Sequence, residues 1–182
     1  MHDQVLYRKY RPEDWENVLG QEHIVSVLSA SIENQNFSHA YLFTGSRGTG
    51  KTTLARIFAR ALGTNAEDIM EIDAASNRSI EDIRELRAAV RVLPFSSRFK
   101  VYIMEGVHML SRAAFHALLK SLEEPPAHVI FILATTELDK VPETILSRCQ
   151  TFSFRKPNEK ILAKMVTDVA DKEKFSIDAE SA

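Results

Sequence analysis

The feature that most constrains this chain is one loop, Gly45-Ser46-Arg47-Gly48-Thr49-Gly50-Lys51-Thr52, a full match to G-x-x-x-x-G-K-[ST]. Such a loop cradles phosphates only between a strand and a helix, and both flanks fit. Ala40–Thr44 reads as a buried strand, and Lys51–Leu62 carries helical patterning. Glycines let the backbone curl so that consecutive N–H groups face inward. The new helix adds its positive end. Lys51 would then neutralise the β- and γ-phosphates of a nucleoside triphosphate, and Thr52 would ligate Mg²⁺. Thr53 completes the candidate loop. A dinucleotide fingerprint fits worse: the glycines run G-x-x-G-x-G, and the Lys-Thr pair goes unexplained.

Around this loop, strand-like runs alternate with helical ones. Candidate strands are Ala40–Thr44, Ile69–Ile72, Val101–Met104, Val129–Thr135 and Thr151–Phe154, several nearly continuous in apolar residues. Helical patterns cover Glu22–Ser31, Lys51–Leu62, Ile80–Val92 and Arg112–Glu124. In the last, Phe115, Leu118, Leu119 and Leu122 repeat at i, i+3, i+4, i+7, with Ser111 as cap and Pro125–Pro126 as stop. The pattern predicts an α/β domain, a parallel five-stranded sheet between two helical layers, over residues 1–155. Residues 156–182 read as the opening of a second, helical domain, with a helix to about Lys174 and a tail, Ile177–Ala182, too poor in apolar surface to fold alone.

Composition narrows the function classes. The longest apolar run, Val129–Ala134, is far short of a membrane span. A single cysteine, Cys149, allows neither an intrachain disulfide nor a cysteine-built zinc site, and points to a reducing cytoplasm. The net charge of −2 excludes wholesale polyanion binding, yet six basic residues against three acidic ones lie between Ser76 and Lys100. Arg84, Arg87 and Arg91 share one helical face there, which reads as a solvated face with local Glu81–Arg84 pairing slightly better than as a nucleic-acid surface.

A phosphate loop needs a carboxylate at the end of another strand to hold Mg²⁺, and often a second to activate water. Val101–Met104 ends in Glu105-Gly106, so Glu105 is the metal-side candidate and the adjacent position is a glycine.

These residues resemble the clamp-loader ATPases of the AAA+ class, and among them the γ/τ subunits of bacterial DNA polymerase III. The likeness is carried by Tyr7-Arg8-Lys9-Tyr10-Arg11-Pro12, Val18-Leu19-Gly20-Gln21, His39–Phe43 and the phosphate loop. It continues through Glu71–Ser76, Val107–Ser111, Leu118–Pro126, Leu133–Thr136 and Ser147-Arg148-Cys149, covering nearly all of residues 5–156. The resemblance implies an ATPase bound to ATP and Mg²⁺ that works with other subunits of a hetero-oligomeric ring. Its other partners would be a sliding clamp and primer–template DNA, with no membrane. Tyr7, Arg11, Pro12, Val18 and Leu19 would wrap the adenine. Lys51, Glu105 and Thr136, the last as a polar sensor of the γ-phosphate, would serve the chain's own site. Arg148 would act in trans, as an arginine finger on a neighbour's nucleotide. Asn77, Arg78, Ser79 and Lys120 would face DNA.

Three departures accompany the likeness. The family's cysteine-rich zinc module is replaced by Gly63–Asp68, so no zinc is implied. The family's catalytic glutamate would sit at Gly106, which implies slow hydrolysis with binding intact. The lid is incomplete, and the family's C-terminal collar is missing. Two other readings follow: a hydrolysis-deficient structural subunit that donates Arg148, and a P-loop nucleotide kinase, for which no acceptor motif is visible.

Overall fold

A computed structural model describes residues 5–175. The proposed tail at Ile177–Ala182 lies outside them. Helix α1 spans Leu6–Lys9 and α2 spans Glu22–Glu33. Strand β1 (Ala40–Thr44) leads through the glycine loop into α3 (Lys51–Ala61). Next come β2 (Ile69–Asp73), α4 (Ile80–Val90), β3 (Lys100–Glu105), α5 (Arg112–Glu123) and β4 (Val129–Thr135). The short helix α6 (Glu143–Leu146), β5 (Gln150–Ser153) and α7 (Glu159–Glu173) follow.

All five strands pair in parallel, in the order β2-β3-β4-β1-β5. Strand β4 is buried along its whole length, which is why its sequence is an uninterrupted apolar run. Period-two alternation divides the core between the two faces. On one face Leu42, Tyr102, Met104, Phe131 and Leu133 pack with Ile83, Leu86, Phe115, Leu118 and Leu122 of α4 and α5. On the other, Tyr41, Phe43, Val101, Ile103 and Ile132 meet Ile24, Leu28, Leu54 and Phe58 of α2 and α3. The result is the three-layer α/β fold that the patterning predicts.

Register places the chemistry. Thr44 stands beside Thr135, Glu105 beside Ala134, and Asp73 beside Glu105. The carboxyl ends of β1, β2, β3 and β4 therefore lie along one edge, where parallel sheets bind ligands.

Two differences from the sequence reading are local. Helix α4 stops at Val90, and Val92, Leu93 and Phe95 stay exposed in a loop. Asp68 holds that loop, accepting hydrogen bonds from the amides of Phe95 (2.6 Å), Ser96 (3.0 Å) and Ser97 (2.9 Å). Helices α1 and α6 have no apolar repeat long enough to announce them.

Candidate nucleotide-binding site

The glycine loop sits at the centre of the sheet edge. Gly48 and Gly50 adopt φ of +76° and +91°, the left-handed region glycine tolerates without a Cβ penalty. A Cβ at either would meet nothing within 4 Å, so both face open space. Gly45 is different. At φ +147° it passes so close to β5 that a Cβ would stand 2.7 Å from the carbonyl oxygen of Phe154. The buried Thr49 donates its hydroxyl to Ser46 O at 2.9 Å and braces the loop from within.

Lys51 opens α3. Its ammonium donates to the carbonyls of Gly45 and Ser46, each at 2.7 Å. Burial lowers its pKa below the usual lysine value, and the negative charge of Glu105 works in the opposite direction. An ammonium in that position, desolvated and held only by neutral carbonyls, suits an incoming polyphosphate, which supplies the missing negative charge.

A cavity of about 790 Å³ opens over the loop. It is lined by Arg47, Gly48, Thr49, Gly50, Lys51, Thr52 and Thr53 from the loop side, and by Tyr7, Arg11, Pro12, Val18 and Leu19 from the N-terminal segment. Glu105, Gly106 and Thr136 close the strand-end side. Of the residues expected on a nucleotide, only Gly45 and Ser46 stand back from the lining. Size, open backbone donors and a lysine fit a nucleoside triphosphate, and Thr52 with Glu105 fits the oxygen-donor set that Mg²⁺ prefers.

Several lining residues were given no role in the sequence reading. His108 and Asp73 line the cavity, as do Met165 and Val169 of α7. Tyr10 donates to Glu173 of α7 at 2.6 Å, and Lys9 pairs with the same carboxylate, so α1 and α7 are pinned to each other beside the opening. Gln21 is buried; its side-chain amide donates to Thr49 O at 3.2 Å and to Arg155 O at 2.7 Å, and its oxygen accepts from Arg155 N at 3.1 Å. One glutamine thus ties the glycine loop to the segment leading into α7. Its presence in a recurring segment was visible in the sequence; its partner 134 residues away was not.

The strand-end wall carries two carboxylates, Asp73 and Glu105, side by side in register. Gly106 has φ +65° and ψ +34°. His108 Nδ1 lies 3.1 Å from the buried hydroxyl of Thr135, and His108 Nε2 lies 3.2 Å from Glu137 Oε1. The Thr135 hydroxyl also accepts from Glu137 N and donates to Glu137 O. Lys140 reaches the other Glu137 oxygen at 2.6 Å, and that hydrogen bond holds the carboxyl below the usual range. This network fixes the turn that presents Thr136 to the cavity.

The remaining expected residues lie elsewhere. Arg148 is not among the residues that line the cavity. Asn77, Arg78 and Ser79 lead into α4, where Ser79 and Asp82 form a reciprocal cap. Ser111 N donates to Arg78 O at 3.1 Å, and His128 Nε2 contacts Val90 O at 3.1 Å, so α4 and α5 run side by side in the same direction. Lys120 is therefore separated from Asn77–Ser79 by about 12 Å of helix. It lines a second cavity, about 310 Å³, with Arg87, Arg91, Glu123 and Glu124. The C-terminal ends of both helices meet there, and cations in the last turns offset their negative dipole ends.

The family model described as "DNA polymerase III, delta subunit" matches residues 20–77 and 63–158. The chain belongs to this family. It is 45% identical to the DNA polymerase III subunit tau of Bacillus subtilis, over 100% of this chain and 36% of that one. With the subunit gamma of Buchnera aphidicola the identity is 41%, over 100% and 55%. With the subunit tau of Escherichia coli it is 46%, over 85% and 27%. The chain thus spans between about a quarter and just over half of these relatives. The Bacillus alignment runs over 202 positions against the 182 residues here, so that relative holds residues within the matched span that this chain lacks. The likeness to γ/τ subunits read from the motifs holds across the whole chain.

Among solved structures, the Holliday junction branch migration motor RuvB of Thermotoga maritima superposes with a TM-score of 0.76 at 24% identity, over 96% of this chain and 57% of that one. A gamma-subunit-related protein of the same organism gives 0.64 at 24%, over 80% and 52%. At this identity the two establish the fold alone, a three-layer α/β domain, and the comparisons do not favour a nucleotide kinase. Among the described residues no helix is long and apolar enough to cross a membrane.

Proposed function

We propose that the chain is the ATP-binding domain of a clamp-loader subunit, which couples ATP binding and hydrolysis to placing a sliding clamp on primer–template DNA during replication. The observation that carries this reading is the pairing of a complete phosphate loop and its cavity with whole-chain similarity to tau and gamma subunits. Residues 1–155 would form the ATPase domain and α7 the start of a helical lid.

The chain's own groups would act in order. Amides of residues 46–52 and Lys51 would bind and orient the triphosphate of ATP, with Lys51 leaving its two carbonyl partners for the phosphates. Thr52 and Glu105 would hold Mg²⁺, whose charge offsets that developing on the phosphates. Tyr7, Arg11, Pro12, Val18 and Leu19 would enclose the base, and α7 would exclude water from above. Thr136 would sense the γ-phosphate, and Arg148 would serve the site of the next subunit, making hydrolysis depend on assembly. Asn77, Arg78 and Ser79, at a helix N-terminus, suit a DNA phosphate; Lys120, at the opposite end of the helix pair, would contact DNA separately.

Hydrolysis by this chain's own site would be slow. Gly106 brings no carboxylate to the position beside Glu105, and losing a general base costs about 10²–10⁴ in rate. The test is ATPase turnover in an assembled ring, with and without sliding clamp and primed DNA. Turnover should depend on the assembly and rise with both ligands. An assembly that hydrolyses ATP indifferently to DNA and clamp would contradict the reading.

A further inference from the structure

Arg148 is held more firmly than an arginine with no internal task requires. It stands two residues past the end of α6, and its Nη1 donates to Thr144 O at 2.7 Å and to Ser147 Oγ at 3.2 Å. Its Nη2 donates to Glu123 Oε1 at 2.8 Å. Glu123 is the last residue of α5, a helix anchored by the buried Leu118 and Leu122. The three hydrogen bonds tether the guanidinium between the short turn at the end of α6 and the last residue of α5. Guanidinium carries five N–H donors. The Nε–H and one Nη2–H make no hydrogen bond among the described residues, so the group is fixed on one side and open on the other.

The side chains of Arg148 and Glu123 are 34% and 42% exposed. Ion pairs this wet add little to fold stability, so a stabilising role does not account for the arrangement. An arginine side chain has many rotamers to lose when it meets a ligand, and a tether that removes them beforehand favours the productive pose. The open donors are the ones a phosphate of a neighbouring chain would meet.

We propose that Glu123 is a positioning residue for Arg148: its carboxylate orients the guanidinium so that the free donors project toward the nucleotide of an adjacent subunit. The inference rests on the reading of Arg148 as an arginine finger. Because Glu123 acts through Arg148, its loss changes the rate at the neighbour's site and leaves this chain's own nucleotide binding alone.

The test measures ATP turnover of the assembled ring carrying Glu123→Ala, Glu123→Gln, Arg148→Ala and the Glu123→Ala/Arg148→Ala pair. Glu123→Ala is expected to lower kcat about tenfold, with KM for ATP and the melting temperature unchanged. Glu123→Gln, which keeps an acceptor oxygen, should recover most of the loss. The double variant should be no slower than Arg148→Ala, since residues acting as one unit are non-additive. Wild-type turnover for Glu123→Ala beside a collapsed Arg148→Ala would overturn this inference and leave the proposed function standing. Wild-type turnover for Arg148→Ala would instead overturn the arginine-finger reading itself.

Discussion

The two walls of the nucleotide cavity are built to different standards. The loop wall is complete: two glycines with open space before them, a braced Thr49, and Lys51 held at 2.7 Å from two carbonyls. The strand-end wall has the neighbouring carboxylates of Asp73 and Glu105, the latter followed by a glycine in the left-handed region, with a tight His108–Thr135–Glu137–Lys140 network behind Thr136. In the proposed reading, Lys51 and the loop amides would hold the triphosphate, Glu105 would share its Mg²⁺, and position 106 would bear only on cleavage. A chain can lose cleavage and keep binding, because no group on the loop wall depends on position 106.

Gly106→Glu is the strongest way to sharpen that contrast. Restoring a carboxylate should raise turnover in an assembled ring at least about tenfold while nucleotide affinity stays within a factor of two or so. The gain is smaller than a full general base supplies, because a side chain at φ +65° carries about 1 kcal/mol of strain. Equal changes in affinity and turnover would break the separation of the walls. Gly45→Ala probes the other wall. Its Cβ would lie 2.7 Å from Phe154 O, so the loop or β5 must shift. A loss of about 2 kcal/mol in urea unfolding is expected, with weaker nucleotide binding alongside it.

The smallest effect is expected far from both walls. Burial pushes the Asp68 carboxyl up, but hydrogen bonds from Ser96, Phe95 and Ser97 outweigh it and hold the group below the usual range. Its stabilisation is therefore present above the ordinary aspartate pKa of about 4 and is lost as pH falls through the lower folded value. Asp68→Asn should lower the melting temperature by roughly 3 °C at neutral pH. That difference should shrink in acid, and nucleotide binding should not change. A shift in nucleotide affinity would mean that the two walls do not act alone.

Much of this was legible before any coordinates. The glycine loop announced itself because its chemistry is local: glycines, lysine and threonine at fixed spacing between a strand and a helix. Strands β1 and β4 were bounded to the residue, because burial on both faces leaves each an apolar run closed by a single threonine. What the sequence hid was long-range. Gln21 meets Arg155 only once β5 lies beside β1, and Met165 and Val169 reach the cavity only once α7 folds back over it. That α4 and α5 pack side by side depends on β2, β3 and β4 being neighbours, a strand order that no periodicity encodes. Helix α1 is four residues long and depends on Glu173 of α7 rather than on its own propensity.

The most direct measurement is a titration of the folded chain with a fluorescent ATP analogue, with Mg²⁺ and with chelator, repeated on Lys51→Ala. Saturable, Mg²⁺-dependent binding is expected, weakened on the order of a hundredfold in Lys51→Ala without a change in melting temperature. Absence of saturable binding, or equal binding by Lys51→Ala, would contradict the assignment of this cavity to a magnesium-bound triphosphate.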